Sequence, residues 1–381
     1  MATAALLETQ RLALVPKRQR FYRPELDCLR FFAFLGVFVF HTFPPESGYY
    51  AARHIPGGVL LASISRAGSF GVDLFFLLSA YLITELLLRE KVEHGQVHLR
   101  SFYVRRILRI WPLYFLGIGI AVGLSYADQT QKFSLTYVAA FLLLSGNWLT
   151  SLVGFPGSVM NPLWSVSFEE QFYLLWPNVV ARVRRARSLI AISSFFIFIA
   201  ALARLTLLKY GRHSEAIVTT NTLSRLDPLA LGIIIAVVAR QRFNFAMHYL
   251  HRAALLVLGG VLWLIAGHFF ALTPSFMLIG YPSIALGACC IFASALGFPK
   301  TPACLRYLGK ISYGLYVFHL LALYASEKMM GGATRTPEKF ATWWILGFVL
   351  TLAMAALSYQ FLESPFLRMK ERFAFVKSRP V

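Results

Sequence analysis

Arg30 and His41 stand eleven positions apart in a stretch, Leu29–Phe43 (LRFFAFLGVFVFHTF), that is otherwise apolar and aromatic. At about 100° per residue, eleven steps of an α-helix return to within about 20° of the start and climb about 16 Å. The two side chains therefore share one helical face, and Asp27 falls near the same stripe. Ionisable groups are costly inside a membrane-length helix, so they mark functional sites by default. An arginine there can hold an anion, and a histidine can take a proton from an alcohol.

The elements that must position these groups are apolar. Of 381 residues 57% are hydrophobic and only 14% charged, with a mean hydropathy of +0.61. Ordinary soluble domains carry about 25% charged residues. Apolar runs long enough to cross a bilayer recur along the chain. The expected fold class is an all-α, polytopic membrane helical bundle with about ten transmembrane helices. They are placed near 25–43, 69–89, 104–124, 166–182, 188–208, 226–240, 253–272, 277–297, 311–329 and 341–363. The apolar segment 135–149 is too short for a further span and reads as a re-entrant or interfacial element. Residues 1–22 form an expected cytosolic tail without a secretory signal pattern, 23–368 the membrane domain, and 369–381 a cytosolic C-terminal tail.

The formal net charge of +20 would suggest nucleic acid in a soluble protein. Here its distribution sets topology instead. Twenty-six of the 37 Lys and Arg residues fall in one alternate set of connections and nine in the other. That bias fits the positive-inside rule with both termini in the cytosol and the basic faces against the lipid bilayer. No nucleic-acid partner is expected. Cys28, Cys289, Cys290 and Cys304 lie in or beside apolar segments and read as structural thiols; no Cys/His spacing suggests a metal.

With this topology His41, Asp73 in GVDLFF, and Glu169 and Glu170 in SVSFEEQFY all fall in the outer third of the membrane. A carboxylate beside an imidazole fixes its tautomer and stabilises the imidazolium, the arrangement of a general base. Simpler readings stand beside each residue. His41 can face headgroups at a helix end, Asp73 can cap the helix beginning near Gly71, and Ser167-x-x-Glu170 matches a capping box. Arg105, Arg106 and Arg109 crowd one turn at the start of the third span. They read either as membrane anchors or, with Arg106 and Arg109 neighbours at i, i+3, as a phosphate site. His319 in SYGLYVFHL reads equally as a core histidine or as a site residue.

Six stretches carry a resemblance: ELDCLRFFAFLGVFVFH (25–41), GVDLFFLLSAYLIT (71–84), FYVRRILRIWPLY (102–114), NPLWSVSFEEQFYLLWP (161–177), LGKISYGLYVFH (308–319) and YQFLESPF (359–366). In this order, and covering nearly the whole chain, they resemble the acyltransferase family 3 of integral-membrane O-acyltransferases, which includes bacterial polysaccharide O-acetylases and macrolide acylases. One departure is SAY at 79–81, where the family usually has SGF. The resemblance implies a bacterial inner-membrane protein that takes an acyl group, expected to be acetyl, from cytosolic acyl-coenzyme A. The acceptor it implies is a hydroxyl at or beyond the outer face. It implies that Arg30 and His41 are the essential pair, with His41 as base. It further implies that Asp73 and Glu169 are the acidic positions and that Arg106 and Arg109 bind the coenzyme A phosphates; Arg30 is expected to add to that site deeper along the channel. Members with an added extracytoplasmic esterase-like domain are longer. This chain is therefore expected to deliver the acyl group itself or through an envelope glycan-assembly partner. The acceptor is expected to be a glycan, with a macrolide or lipid hydroxyl as the alternative. A transporter or flippase, using Arg30, His41 and Asp73 as a pathway, and a structural subunit of a glycan-assembly complex are the rivals from other classes. Internal repeat symmetry, which a transporter of duplicated halves would favour, is not visible in the motifs.

Overall fold

The computed structural model describes residues 21–210, 215–242, 247–270, 276–332 and 336–376, and among them it is helical with no strand. The main helices are α1 (Pro24–Thr42), α2 (Gly58–Ser69), α3 (Gly71–His94), α4 (Leu99–Ala127), α5 (Leu135–Leu142), α6 (Gly146–Val153), α7 (Leu163–Arg182) and α8 (Ala186–Lys209). They continue with α9 (Asp227–Arg242), α10 (Tyr249–His268), α11 (Tyr281–Ala295), α12 (Ala303–Lys310), α13 (Ser312–Met329), α14 (Pro337–Ser358) and α15 (Ser364–Glu371).

Local chemistry sets the ends of α1 and α3. Pro24 opens α1, where a missing N–H costs nothing, and Pro44 and Pro45 follow its last turn. Gly95, at φ 73°, closes α3 in the left-handed conformation that glycine adopts without penalty. Between α2 and α3 the chain hardly bends. Gly68 and Gly71 press there against the backbone of α1, and a Cβ on either would collide with the carbonyl oxygens of Gly36 and Ala33.

Among the described residues six helical stretches are long and apolar enough to cross a membrane: 58–94, 99–127, 186–209, 249–268, 276–295 and 338–371. Helices also occupy the other four positions expected from the sequence, as α1, α7, α9 and α13, but these are shorter or more polar. The reason is visible in their residues. α1 carries Glu25, Asp27 and Arg30; α7 carries Glu169 and Glu170; α13 carries His319, and all of these groups are buried or half-buried. Interior helices are shielded from lipid by their neighbours and can hold polar side chains at lower cost. The periphery has the opposite character: α8 exposes Phe195, Phe198 and Leu202, and α10 exposes Val257, Val261 and Ile265. Such continuous apolar faces suit hydrocarbon rather than water.

The 135–149 segment is not one helix. α5 and α6 are eight residues each, about 12 Å long. They meet at Leu144, a non-glycine residue at φ 57°. Tyr114 donates to the Phe141 carbonyl at 2.8 Å, and Asn147 donates to the Thr220 carbonyl at 3.1 Å. These bonds tie the break to protein, while Leu135, Leu142, Leu143, Leu152 and Val153 stay exposed. The described part of the expected C-terminal tail also departs from expectation; residues 377–381, like 1–20 of the expected N-terminal tail, lie outside the described residues. Residues 369–376 are no free tail, because α15 runs to Glu371 and the chain then folds back on the bundle. Arg105 Nη1 donates to the Phe373 carbonyl at 2.7 Å, and the Phe375 ring stacks on His98 at 3.7 Å.

Candidate active site

A cavity of about 530 Å³ opens among α1, α3, α4, α7, α13 and the segment after α15. Along α3 it runs from Glu90 to Val72, a helical rise of about 27 Å. One end is basic. Eight Arg and Lys side chains line the cavity against four carboxylates, with Arg105, Arg106 and Arg109 on α4 and Arg368, Lys370 and Arg372 on the C-terminal element.

The arginines expected to bind anions all reach this cavity, but they are held differently. Arg30 Nη1 donates to Asp27 Oδ1 at 3.0 Å, and Tyr22 donates to the other oxygen of that carboxylate at 3.0 Å. Arg105 is tied to buried Glu90 at 3.0 Å as well as to the Phe373 carbonyl. Arg106 lies 5.4 Å from the Phe102 ring centroid and 5.1 Å from that of Tyr173. Aromatic rings attract a guanidinium from its face and leave its N–H edges available for an anion. Deeper in, Glu169 accepts from Ser79 at 2.9 Å and from Tyr173 at 2.8 Å. The inner wall carries Ser165 and Tyr316, whose hydroxyls are 2.7 Å apart, and the Phe75 ring, 5.8 Å from that of Tyr316.

His41 is not in the cavity wall. It sits in the last turn of α1, exposed, with Nδ1 2.9 Å from the Val37 carbonyl and 3.3 Å from Nε2 of His319. His319, one helical turn beyond Tyr316 on α13, is fully buried, and its Nδ1 is 2.6 Å from the Tyr316 carbonyl. The histidine pair therefore lies behind the Ser165–Tyr316 layer that ends the cavity.

The expected carboxylates do not reach His41. Asp73 is buried in the first turn of α3 and accepts from Arg225 Nη2 at 2.7 Å. Arg225 in turn lies 4.8 Å from the ring centroid of Tyr281. Nearby, Arg204 bonds Asp227 at 2.6 Å, so this is a buried ion-pair cluster. Glu169 faces the cavity with the partners given above. The capping box also fails. α7 starts at Leu163, which puts Ser167 inside the helix, where its hydroxyl meets Tyr114 at 3.1 Å. Glu170 instead accepts from the Trp111 indole N–H at 3.0 Å. Among the described residues no group of three or more His, Cys, Asp or Glu could hold a metal ion.

Three features escaped the sequence. The contact of His319 with His41 joins residues 278 positions apart, and no local pattern encodes it. Its only signal was an ionisable residue in an apolar helix. The Ser165–Tyr316 hydroxyl pair and the basic C-terminal wall are likewise long-range contacts.

Comparison with known proteins agrees with this architecture. The model of a family described as an acyltransferase domain matches residues 23–360. Two relatives named O-acetyltransferase OatA, from Staphylococcus aureus strains NCTC 8325 / PS 47 and COL, are each 26% identical to the chain over 389 residues, covering 94% of it. The chain spans 59% of the length of these curated relatives. No solved structure matches it. Because the family match takes in nearly all of a bundle whose polar helices are interior, the chain belongs to acyltransferase family 3.

Proposed function

We propose that the protein is a membrane O-acyltransferase that moves an acetyl group from cytosolic acetyl-coenzyme A to a hydroxyl of an extracytoplasmic glycan. The observation that carries this reading is the cavity: arginine-rich at one end, apolar along α3, and ending beneath a histidine pair. The donor phosphates pair with Arg106 and Arg109, whose forked N–H groups suit phosphate oxygens. Arg30 and Asp27 line the path taken by the pantetheine arm. The thioester reaches the layer of Phe75, Ser165 and Tyr316, which must part for it to meet the acceptor.

At the far end His41 Nε2 accepts the proton of the acceptor hydroxyl as its oxygen attacks the thioester carbonyl. The tetrahedral intermediate then collapses, the C–S bond breaks, and the proton on His41 passes to the departing coenzyme A thiolate. General-base help of this kind is worth about 10²–10⁴-fold in rate. The skewed placement of Lys and Arg supports ten crossings of a bacterial inner membrane with both termini, and the basic mouth, in the cytosol. The names of the relatives support acetyl transfer to oxygen.

The test is transfer of label from [14C]acetyl-coenzyme A into envelope glycan in membranes of expressing cells. The wild-type protein should deposit alkali-labile acetate, and His41→Ala should not, although it inserts normally. Equal labelling by the two would overturn the assignment.

A further inference from the structure

We infer that His319 is a positioning residue that, together with the Val37 carbonyl, holds the proton of His41 on Nδ1 and the ring in place, leaving Nε2 as its basic nitrogen. The inference deepens the proposed function and rests on it.

It follows from the order of acceptors along one short line. The Tyr316 carbonyl lies 2.6 Å from His319 Nδ1 and can only accept, so that nitrogen carries the proton. In a neutral imidazole the other nitrogen is then an acceptor, and His319 Nε2 presents its lone pair 3.3 Å from His41 Nδ1. The Val37 carbonyl presents a second acceptor to the same Nδ1 at 2.9 Å. A proton must therefore sit on His41 Nδ1, because a lone pair there would face two others. His41 Nε2 is left unprotonated, on a ring that is exposed while His319 is fully buried. Hydrogen bonding at one imidazole nitrogen in this way decides the chemistry of the other.

The pair also replaces the carboxylate that the sequence led one to expect. Asp73 is engaged by Arg225, and Glu169 by Ser79 and Tyr173. The group that orients the base is thus neutral, buried and carried on α13. When His41 becomes an imidazolium, its Nδ1–H remains shared between the Val37 carbonyl and His319 Nε2, so the ring is held in place through the proton transfer.

Two substitutions separate positioning from mere packing. In His319→Leu the ring of His41 keeps only the Val37 bond; in His319→Gln the side-chain oxygen can accept from His41 Nδ1 again. Turnover of [14C]acetyl-coenzyme A into envelope glycan should fall about 10²-fold in His319→Leu, the scale of a small misplacement at a reacting group. His319→Gln should recover most of it. The apparent KM for acetyl-coenzyme A should stay unchanged in both, because His319 lies outside the cavity wall. Wild-type turnover in His319→Leu, or no recovery in His319→Gln when both bind acetyl-coenzyme A normally, would overturn the inference. Activity in His41→Ala would instead overturn the functional reading beneath it. Should neither His319 variant fold, 15N NMR of the histidine-labelled wild-type chain decides. Protonated Nδ1 and bare Nε2 on His41 support the assignment, and the reverse contradicts it.

Discussion

The two ends of the interior differ in almost every physical respect. At one end the cavity is lined by arginines on α4 and the C-terminal element. At the other, two imidazoles meet through one short contact behind a layer of aromatic and hydroxyl groups. The first is built to hold charge without changing it, since arginine does not titrate in the physiological range. Imidazoles, by contrast, can take up and release a proton near neutral pH. The proposed function puts binding and chemistry at opposite ends of one path, so substitutions at the two ends should fail in different ways.

The largest effect belongs to His41. His41→Ala should lower turnover by about 10²–10⁴-fold, with donor affinity unchanged, measured as label transfer against donor concentration. Next comes the basic end. Arg106→Ala removes a charged partner of phosphate, worth about 1.5–3 kcal/mol, so the apparent KM for acetyl-coenzyme A should rise about 10–100-fold while saturated turnover changes less. A comparable fall in turnover at saturating donor would erase the distinction between the ends.

Gly309 links the packing of α1 to the basic end. At Gly309 on α12 a Cβ would collide with the backbone carbonyl of Asp27, the residue that holds Arg30. Gly309→Ala must push α1 and α12 apart. It should cost about 1–3 kcal/mol, as overpacking does, and appear as a lower melting temperature in detergent together with weaker donor binding. His41 is remote from this contact along α1, so any remaining turnover at saturating donor should be near normal.

The smallest effect lies at the surface of the His41 end. Asp128 accepts from Lys328 at 2.6 Å, from Tyr324 at 2.6 Å and from Thr130. These bonds, that of Lys328 foremost, hold its carboxyl well below the ordinary carboxylate range. A depressed acid stabilises the fold above its unfolded pKa of about 4, and this contribution is lost as pH falls further through the folded value. Acid titration of the melting temperature should therefore show a slight extra loss below about pH 4 that Asp128→Asn lacks. Exposure and salt screening keep the effect small.

Much of the fold was legible in the sequence because apolar runs and the Lys/Arg bias report directly on helices and their ends. Arg30, Arg106 and Arg109 were legible as a group for the same reason: arginines entering apolar helices are expensive and need a purpose. Asp73 was misread as a neighbour of His41 because depth along a helix was known and direction around it was not. The helix face that carries Asp73 meets Arg225 instead. Breaks inside apolar runs were equally hidden, as in 135–149, where Leu144 adopts a backbone conformation that nothing in its side chain announces. Residues 369–376 were charged enough to pass for a solvated tail, yet Phe373, Phe375 and Val376 tie them to the bundle.

The proposed separation sets donor binding in the cavity and proton transfer behind its inner wall, at opposite ends of one path. Equilibrium binding of [14C]acetyl-coenzyme A to His41→Ala and Arg106→Ala in detergent, beside the wild-type protein, tests it most directly. His41→Ala, which transfers nothing, should bind with wild-type affinity, and Arg106→Ala clearly more weakly. Loss of donor binding in His41→Ala with undiminished binding in Arg106→Ala would contradict it.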